Sequence, residues 1–219
     1  MEEIIANNEQ TVLIIINEYL NKNRYFSASE IIPYISSRFA KSGVNINING
    51  IRTILKSLVE KGLIVEGSKL TRNEILSNFN RKKIFEYIQN NPGIIFNRIV
   101  TNLNLTIPVV EWHLNILMKF NYIIKEKIDN SVVYFDLNIK PEDRMTKYLI
   151  SKGKSKQIIN LLAVNQEGMT KNQISKKLNM HATTVTKYLD KLHEFGIITK
   201  KSLPNKNLYF LNNKIYNQI

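Results

Sequence analysis

The sequence contains no cysteine, which excludes disulfide bonds and thiol chemistry. Its only histidines are His113, His181 and His193, and none of them has the spacing of a metal-binding pair such as H-x-x-x-H. No glycine-rich phosphate-binding motif and no nucleophile elbow occurs. Because no set of catalytic acid, base and nucleophile is apparent, we expect a protein that is not an enzyme and that holds no metal or cofactor.

Long apolar runs are also missing. The longest, VLIIINEYL from Val12, is interrupted by Asn17 and Glu18 and falls well short of the roughly 20 residues that a membrane-spanning helix needs. The sequence begins MEEIIANNEQ, and this acidic start is unlike a secretory signal. We therefore expect a cytoplasmic protein in a reducing compartment, with no membrane span.

Acidic residues are fewer than basic ones, which leaves a net charge of +13. The excess is uneven: residues 1–73 and residues 74–140 carry +2 each, whereas residues 141–219 carry +9, from 14 basic and 5 acidic residues. Such a charge attracts polyanions, nucleic acid first, although surplus lysine also simply keeps proteins soluble. Its concentration in one third of the chain favours a polyanionic partner.

One helical pattern occurs three times. The three segments are GIRTILKSLVEKGLIVEG (50–67), VVEWHLNILMKFNYIIKEK (109–127) and TVTKYLDKLHEFGIITKK (184–201). Each places apolar residues at positions i, i+4 and i+7, which form one stripe on an α-helix. The stripes consist of Ile51, Leu55 and Leu58; Val110, Leu114 and Leu117; and Val185, Leu189 and Leu192. We call these segments, with their surroundings, the first, second and third repeats.

Each stripe is followed by the same kind of stop signal. Gly62, Asn121 and Gly196 suit the left-handed conformation that ends a helix. An apolar pair comes next and is predicted to enter a strand. These pairs are Leu63-Ile64, Tyr122-Ile123 and Ile197-Ile198.

The surroundings of the stripes are alike as well. Two helical patterns precede each stripe, and predicted strand pairs follow the second and third, with turns at Asp129-Asn130 and Pro204-Asn205. The first stripe is followed only by the stub LIVEGSKLT. This order of elements is that of a winged helix-turn-helix.

The sequence therefore predicts a mainly α fold with small β-hairpin wings (α+β), built as three tandem winged helix-turn-helix domains. Their expected ranges are residues 1–73 with a short wing, residues 74–140, and residues 141–219 with a preceding linker helix that Pro141 begins.

Residues 74–211 resemble archaeal-type winged helix-turn-helix transcriptional regulators of the broad MarR/ArsR kind, with a more divergent winged helix before them. The residues that carry the resemblance are RKKIFEYIQNNPGIIFNRIVTNLNLTIPVVEWHLNIL and QIINLLAVNQEGMTKNQISKKLNMHATTVTKYLDKLHEFGII. The resemblance implies that duplex DNA is the partner, that the third helix of a domain enters the major groove and that the wing lies over the backbone. It also implies a homodimer paired through helices outside the motif.

The third repeat offers the richest DNA-binding chemistry. On its stripe helix, threonine suits contacts with bases or phosphates and lysine suits phosphates. More lysines flank that helix and lie on its wing. The predicted DNA-binding residues of this repeat are Lys171, Thr183, Thr186, Lys187, Lys191, Lys200, Lys201 and Lys206. In the first repeat we predict DNA contacts from Asn49, Arg52 and Lys56, since asparagine reads adenine and arginine reads guanine, although an asparagine here also suits a helix N-cap.

The second repeat carries a different surface. Glu111, Trp112 and His113 occupy the positions that hold Thr186, Lys187 and Tyr188 in the third repeat. Trp112 is the only tryptophan, and we predict that it contacts protein, either as an anchor for a partner or packed against a neighbouring repeat. We expect His113 to pack at a domain edge.

Three functions are compatible with these observations. A DNA-binding transcription regulator accounts for the basic third repeat. A tandem winged-helix interaction module, similar to polymerase-associated factors or ESCRT-II-like adaptors, accounts for the weakly charged first and second repeats. An RNA-binding role is a third alternative.

Overall fold

A computed structural model describes residues 2–216, with the side chains of residues 8–214. Its helices are α1 (Glu2–Leu20), α2 (Ala28–Lys41), α3 (Ile48–Glu60), α4 (Arg72–Ile75), α5 (Phe79–Asn90), α6 (Phe96–Leu103), α7 (Ile107–Lys119), α8 (Pro141–Ser151), α9 (Gly153–Ala163), α10 (Lys171–Leu178), α11 (Ala182–Glu194) and α12 (Asn213–Tyr216). Its strands are β1 (Ile94–Ile95), β2 (Ile123–Ile128), β3 (Ser131–Asp136), β4 (Ile198–Leu203) and β5 (Lys206–Leu211). The protein is mainly helical with small antiparallel hairpins, as the sequence predicts.

The chain divides into two compact units. The first unit consists of Met1–Tyr87 and Asn97–Lys125, and the second consists of Ile88–Phe96 and Glu126–Ile219. This boundary runs through the range 74–140 that the sequence assigns to one domain. The division into three tandem domains therefore stays a prediction.

The three predicted stripes form buried helix faces. All nine stripe residues are buried, and the three of α11 have no exposed surface. Burying one such large aliphatic side chain contributes about 1.5–3 kcal/mol to folding. The stripes therefore fix which face of α3, α7 and α11 points outward.

The same helix ending recurs after each stripe. Gly62, Asn121 and Gly196 have positive φ angles of 66°, 54° and 67°. In each case the next amide donates a 2.9 Å hydrogen bond to the carbonyl of the last stripe residue: Leu63 to Leu58, Tyr122 to Leu117 and Ile197 to Leu192. This is the Schellman arrangement, which satisfies carbonyls that a helix end leaves free. The stop signals read from the sequence are thus confirmed.

The predicted strand at Leu63-Ile64 is wrong. No strand lies between α3 and α4, and the short segment joining them turns at Gly67, whose φ is 78°. The Gly67 amide donates to the Phe26 carbonyl, and the Ser68 amide donates to the Val65 carbonyl. These bonds hold the segment in a turn, so the first repeat lacks the short wing expected of it.

The second repeat has a strand that the sequence patterns did not separate from the following helix. The apolar pattern of residues 94–105 predicts a short helix and a turn, but Ile94-Ile95 forms β1, which pairs antiparallel with β3 through Ile94 and Tyr134. The sheet has the strand order β1-β3-β2. The helix proper begins at Phe96.

The third repeat has every predicted element. The helices α9, α10 and α11 are followed by the hairpin of β4 and β5, which pair from Ile198–Leu211 to Leu203–Lys206 across the Pro204-Asn205 turn. A further antiparallel bridge joins Met169 to Tyr209. The predicted linker helix is present as α8, with Pro141 in its first turn.

Candidate nucleic-acid interface

The N-terminal half of α11 presents a polar, basic surface. Because Val185 and Leu189 are buried in the core, Thr183 and Lys187 lie on the opposite face and are exposed. They are four residues apart and so are neighbours on the helix surface. This pair has the geometry of a helix end that enters a major groove, where its first residues approach base edges.

The hydroxyls of two α11 threonines, Thr183 and Thr186, are already engaged in local hydrogen bonds. Thr186 Oγ1 donates to the Ala182 carbonyl at 2.9 Å, so it keeps a methyl group and acceptor capacity for a ligand. Thr183 Oγ1 lies 2.8 Å from Nδ1 of His181. His181 is exposed and is the N-cap residue of α11. It therefore joins the candidate surface, although no metal-type spacing or helical pattern singled it out in the sequence.

The wing and the preceding helix add lysines. Lys200, Lys201 and Lys206 are all exposed on the β4–β5 hairpin. Lys171 begins α10 and is partly exposed. The start of α10 is fixed by a capping box in which the Thr170 side chain accepts from the Gln173 amide at 3.3 Å.

The C-terminal half of α11 differs from its N-terminal half. Lys191, which the sequence assigns to DNA, donates from Nζ to Oδ1 of Asp129 at 2.6 Å. That hydrogen bond and the nearby lysine charges lower the pKa of Asp129. The acidic Asp190 and Glu194 are exposed on the same half of the helix. In the free protein the unpaired positive charge of α11 therefore lies on its first two turns, whereas acidic side chains offset the basic ones in the last turns.

The predicted DNA-binding residues of the first repeat lie in the first unit. Asn49 is exposed in the first turn of α3, whose N-cap is Asn47, accepting from the Gly50 amide at 2.7 Å. Arg52 and Lys56 are exposed on α3 and line an open groove of about 380 Å³ with apolar walls. These cations lie beside a groove and have no wing next to them.

Trp112 lies on the surface of the first unit. Its side chain is 55% exposed, and both of its predicted roles, as an anchor for a partner or packed against a neighbouring repeat, stay predictions. The guanidinium of Arg81 lies 5.3 Å from the Trp112 ring centroid, a cation–π arrangement. Arg81 itself is buried and donates to the Ile75 carbonyl at 2.9 Å.

His113 is buried next to this pair. Burial, with the charge of Arg81 as the lesser cause, lowers the pKa of His113. Its ring lies 4.7 Å from that of Trp112 in an edge-to-face contact. A buried imidazole with a lowered pKa is neutral at pH 7, so the outward face of α7 does not gain a positive charge from His113.

Among residues 2–216 no helix is long and apolar enough to cross a membrane. Within the same described residues, no cluster of three or more histidine, cysteine, aspartate or glutamate side chains has the arrangement of a metal site.

Comparison with known proteins bears on the basic third of the chain. Residues 153–199 match the family described as winged helix-turn-helix DNA-binding, and this range contains α9, α10, α11 and the start of β4. A protein of Methanocaldococcus jannaschii described as an uncharacterized HTH-type transcriptional regulator is 32% identical over 146 residues, which are 67% of this chain and 37% of the relative. The chain thus spans little more than a third of that relative's length. The segment that folds into α9, α10, α11 and the start of β4 is similar to winged helix-turn-helix DNA-binding domains.

Proposed function

We propose that this protein is a transcriptional regulator that binds duplex DNA mainly through the third repeat. The observation that carries the proposal is the exposure of Thr183 and Lys187 on α11 and of three lysines, Lys200, Lys201 and Lys206, on the wing. The match of residues 153–199 to winged helix-turn-helix DNA-binding proteins supports it independently. The role is one of binding in the cytoplasm, with no catalysis.

In the proposed complex the first two turns of α11 lie in the major groove. Lysines on the helix and wing neutralise phosphates and release counterions, which supplies affinity for any duplex. Thr183, with His181 beside it, approaches base edges and supplies discrimination between sequences. The first and second repeats, and a homodimer, add to the assembly without supplying the main DNA surface.

An interaction module is the second candidate function. It rests on Trp112, whose exposed indole lies over the buried cation of Arg81. Tryptophan is the side chain most often found at energetic centres of protein interfaces. A protein partner held by the second repeat is compatible with DNA binding by the third.

Salt-dependent binding to duplex DNA tests the proposal. We expect measurable affinity at low salt and a linear fall of log K with log salt, with a slope of about −0.9 for each phosphate contacted. A double variant, Lys187→Ala with Lys201→Ala, should weaken binding and make the slope shallower by about 1.8. A parent protein that does not bind at low salt, or that shows a slope near zero, contradicts the proposal.

The matched control is Lys140→Ala. Lys140 is an exposed lysine of the second unit that precedes α8 and lies on neither α11 nor the wing. Its loss removes one unit of the same charge without removing a proposed contact. If Lys140→Ala changes the slope as much as Lys187→Ala does, net charge rather than the third repeat controls binding. Thr183→Ala should lower the ratio of specific to non-specific affinity while leaving the salt slope unchanged.

A further inference from the structure

Two lysines of the second unit form ion pairs with one carboxylate, and a third lysine lies one helical turn from one of them. Lys191 Nζ lies 2.6 Å from Oδ1 of Asp129, and Lys152 Nζ lies 3.9 Å from Oδ2. The charge of Lys187 also stabilises the ionised form of this carboxylate. We call Lys152, Lys187 and Lys191 the lysine cluster. It carries three positive charges against the single negative charge of Asp129.

The cluster is assembled by α11, which belongs to the candidate interface, and by the start of α9. Lys187 and Lys191 are neighbours on α11, and Lys152 is the N-cap residue of α9. Lys152 is held in place because its Nζ donates to the Tyr148 hydroxyl at 2.7 Å. Free amides in the first turn of α9 add partial positive charge next to Lys152. The lysines and these amides together carry more positive charge than the single Asp129 carboxylate neutralises.

Asp129 reaches the cluster from a hairpin tip. It lies in the turn between β2 and β3, where its φ is 53°. The side chains of Asp129 and Lys191 keep 40% and 25% of their accessible surface. Because the pair is open to solvent, a competing anion can reach Lys191 without entry into the core.

We infer that the lysine cluster is a binding site for a phosphate of the DNA backbone, and that the Asp129 carboxylate occupies this site in the free protein. The inference rests on the proposed function, because it places the phosphate at the edge of the groove that α11 enters. Asp129 takes the place of the phosphate oxygens at Lys191 and must leave when DNA binds. The residue therefore lowers affinity for every duplex and restricts stable binding to sites whose other contacts are favourable.

The decisive variant is Asp129→Asn. Asparagine accepts the left-handed turn conformation as readily as aspartate, so the hairpin is expected to fold, and circular dichroism and the thermal midpoint check this. We expect duplex DNA to bind about threefold or more tightly at low salt and the salt slope to steepen by about 0.9, the value for one added phosphate contact. In a Lys191→Met background the same change should have little effect, because Asp129 acts through Lys191.

Asp190→Asn is the matched control. Asp190 is an exposed acid on α11, so this change removes one negative charge from the helix that carries Lys191 without freeing Lys191. Its effect on DNA affinity should be equal in the parent and in the Lys191→Met background. An Asp129→Asn protein that binds DNA no more tightly than the parent, or whose gain persists in the Lys191→Met background, overturns the inference.

A second measurement separates this inference from the proposed function. Inorganic phosphate, compared with chloride at equal ionic strength, should raise the thermal midpoint of Asp129→Asn more than that of the parent protein. If the parent binds no duplex DNA but this difference appears, the phosphate site stands and the proposed function is wrong. If DNA binds and phosphate affects both proteins equally, the proposed function stands and the inference is overturned.

Discussion

Replacement of Gly93 by alanine should strongly destabilise the second unit. Gly93 has a φ of 78°, and a Cβ atom there would lie 2.5 Å from Cδ2 and 3.1 Å from Cβ of Tyr148, and 3.2 Å from Cζ of Phe135. The left-handed conformation costs an alanine about 1–2 kcal/mol. Tyr148 and Phe135 are both buried, so they cannot swing into solvent, and overpacking adds about 1–3 kcal/mol. The free energy of unfolding should fall by roughly 2–5 kcal/mol in all.

Gly67 supplies the reference for this prediction. Its φ is also 78°, but no atom lies within 4 Å of the Cβ that alanine would add. Gly67→Ala should therefore cost only the backbone term of about 1–2 kcal/mol. Urea unfolding followed by circular dichroism measures both variants. Equal losses for Gly67→Ala and Gly93→Ala would refute the reasoning, because the crowding around Gly93 would then have no energetic effect.

Three further changes test individual interactions. The folded-state pKa of His113 is lowered, so as the pH falls the unfolded chain binds a proton at this histidine before the folded protein does. The free energy of unfolding should therefore be highest above about pH 6.5 and decrease below it. Urea unfolding at several pH values should show a weaker decrease for His113→Leu. Arg72→Leu should lower the free energy of unfolding by about 2 kcal/mol, because two carbonyls at the end of α7 lose the guanidinium that donates to them. Thermal unfolding should show a much smaller loss for Arg98→Leu, because Arg98 is exposed. Thr170→Ala removes a capping box and should lower the free energy of unfolding, measured with urea, by about 1 kcal/mol. Thr106→Ala should lower it less, because the Thr106 side chain is at an N-cap but makes no capping hydrogen bond.

The helices could be predicted because their signals are local. A stripe such as Val185, Leu189 and Leu192 specifies both a helix and its buried face, and Gly196 specifies its end. The β4–β5 hairpin was also predictable, since the apolar pair Ile197-Ile198 leads into the first strand and a Pro-Asn turn only two residues long precedes the second. These features depend on residues at most a few positions apart.

The secondary structure was predicted wrongly where contacts between residues distant in the sequence determine it. Ile94-Ile95 adjoins α6 without a break in its apolar pattern, and only its pairing with β3 makes it a strand. Leu63-Ile64 has the sequence of a strand start, but the chain that follows turns at Gly67, whose amide donates a hydrogen bond to the Phe26 carbonyl. Local propensity is the same whether or not a partner strand is present, so it could not distinguish these two cases.

The candidate site shows the same limit. Exposed lysines on α11 and on the wing follow from the helix and strand periods. The pairing of Lys191 with Asp129 joins residues 62 positions apart, and no sequence spacing indicates it. The sequence therefore predicted which basic residues are exposed on α11 and the wing, but it could not predict that the charge of Lys191 is neutralised by Asp129.

The single tryptophan gives this protein an optical signal for the first unit that is separate from the far-ultraviolet dichroism of the whole chain. Trp112 is in the first unit, and the second unit, for the residues that the structure describes, has tyrosine but no tryptophan. Indole emission excited at the red edge of the tyrosine absorption therefore follows the first unit alone, while far-ultraviolet dichroism follows both. Coincidence of the two unfolding curves would show that the units unfold as one cooperative body. Separate curves would give each unit its own stability without any engineered label.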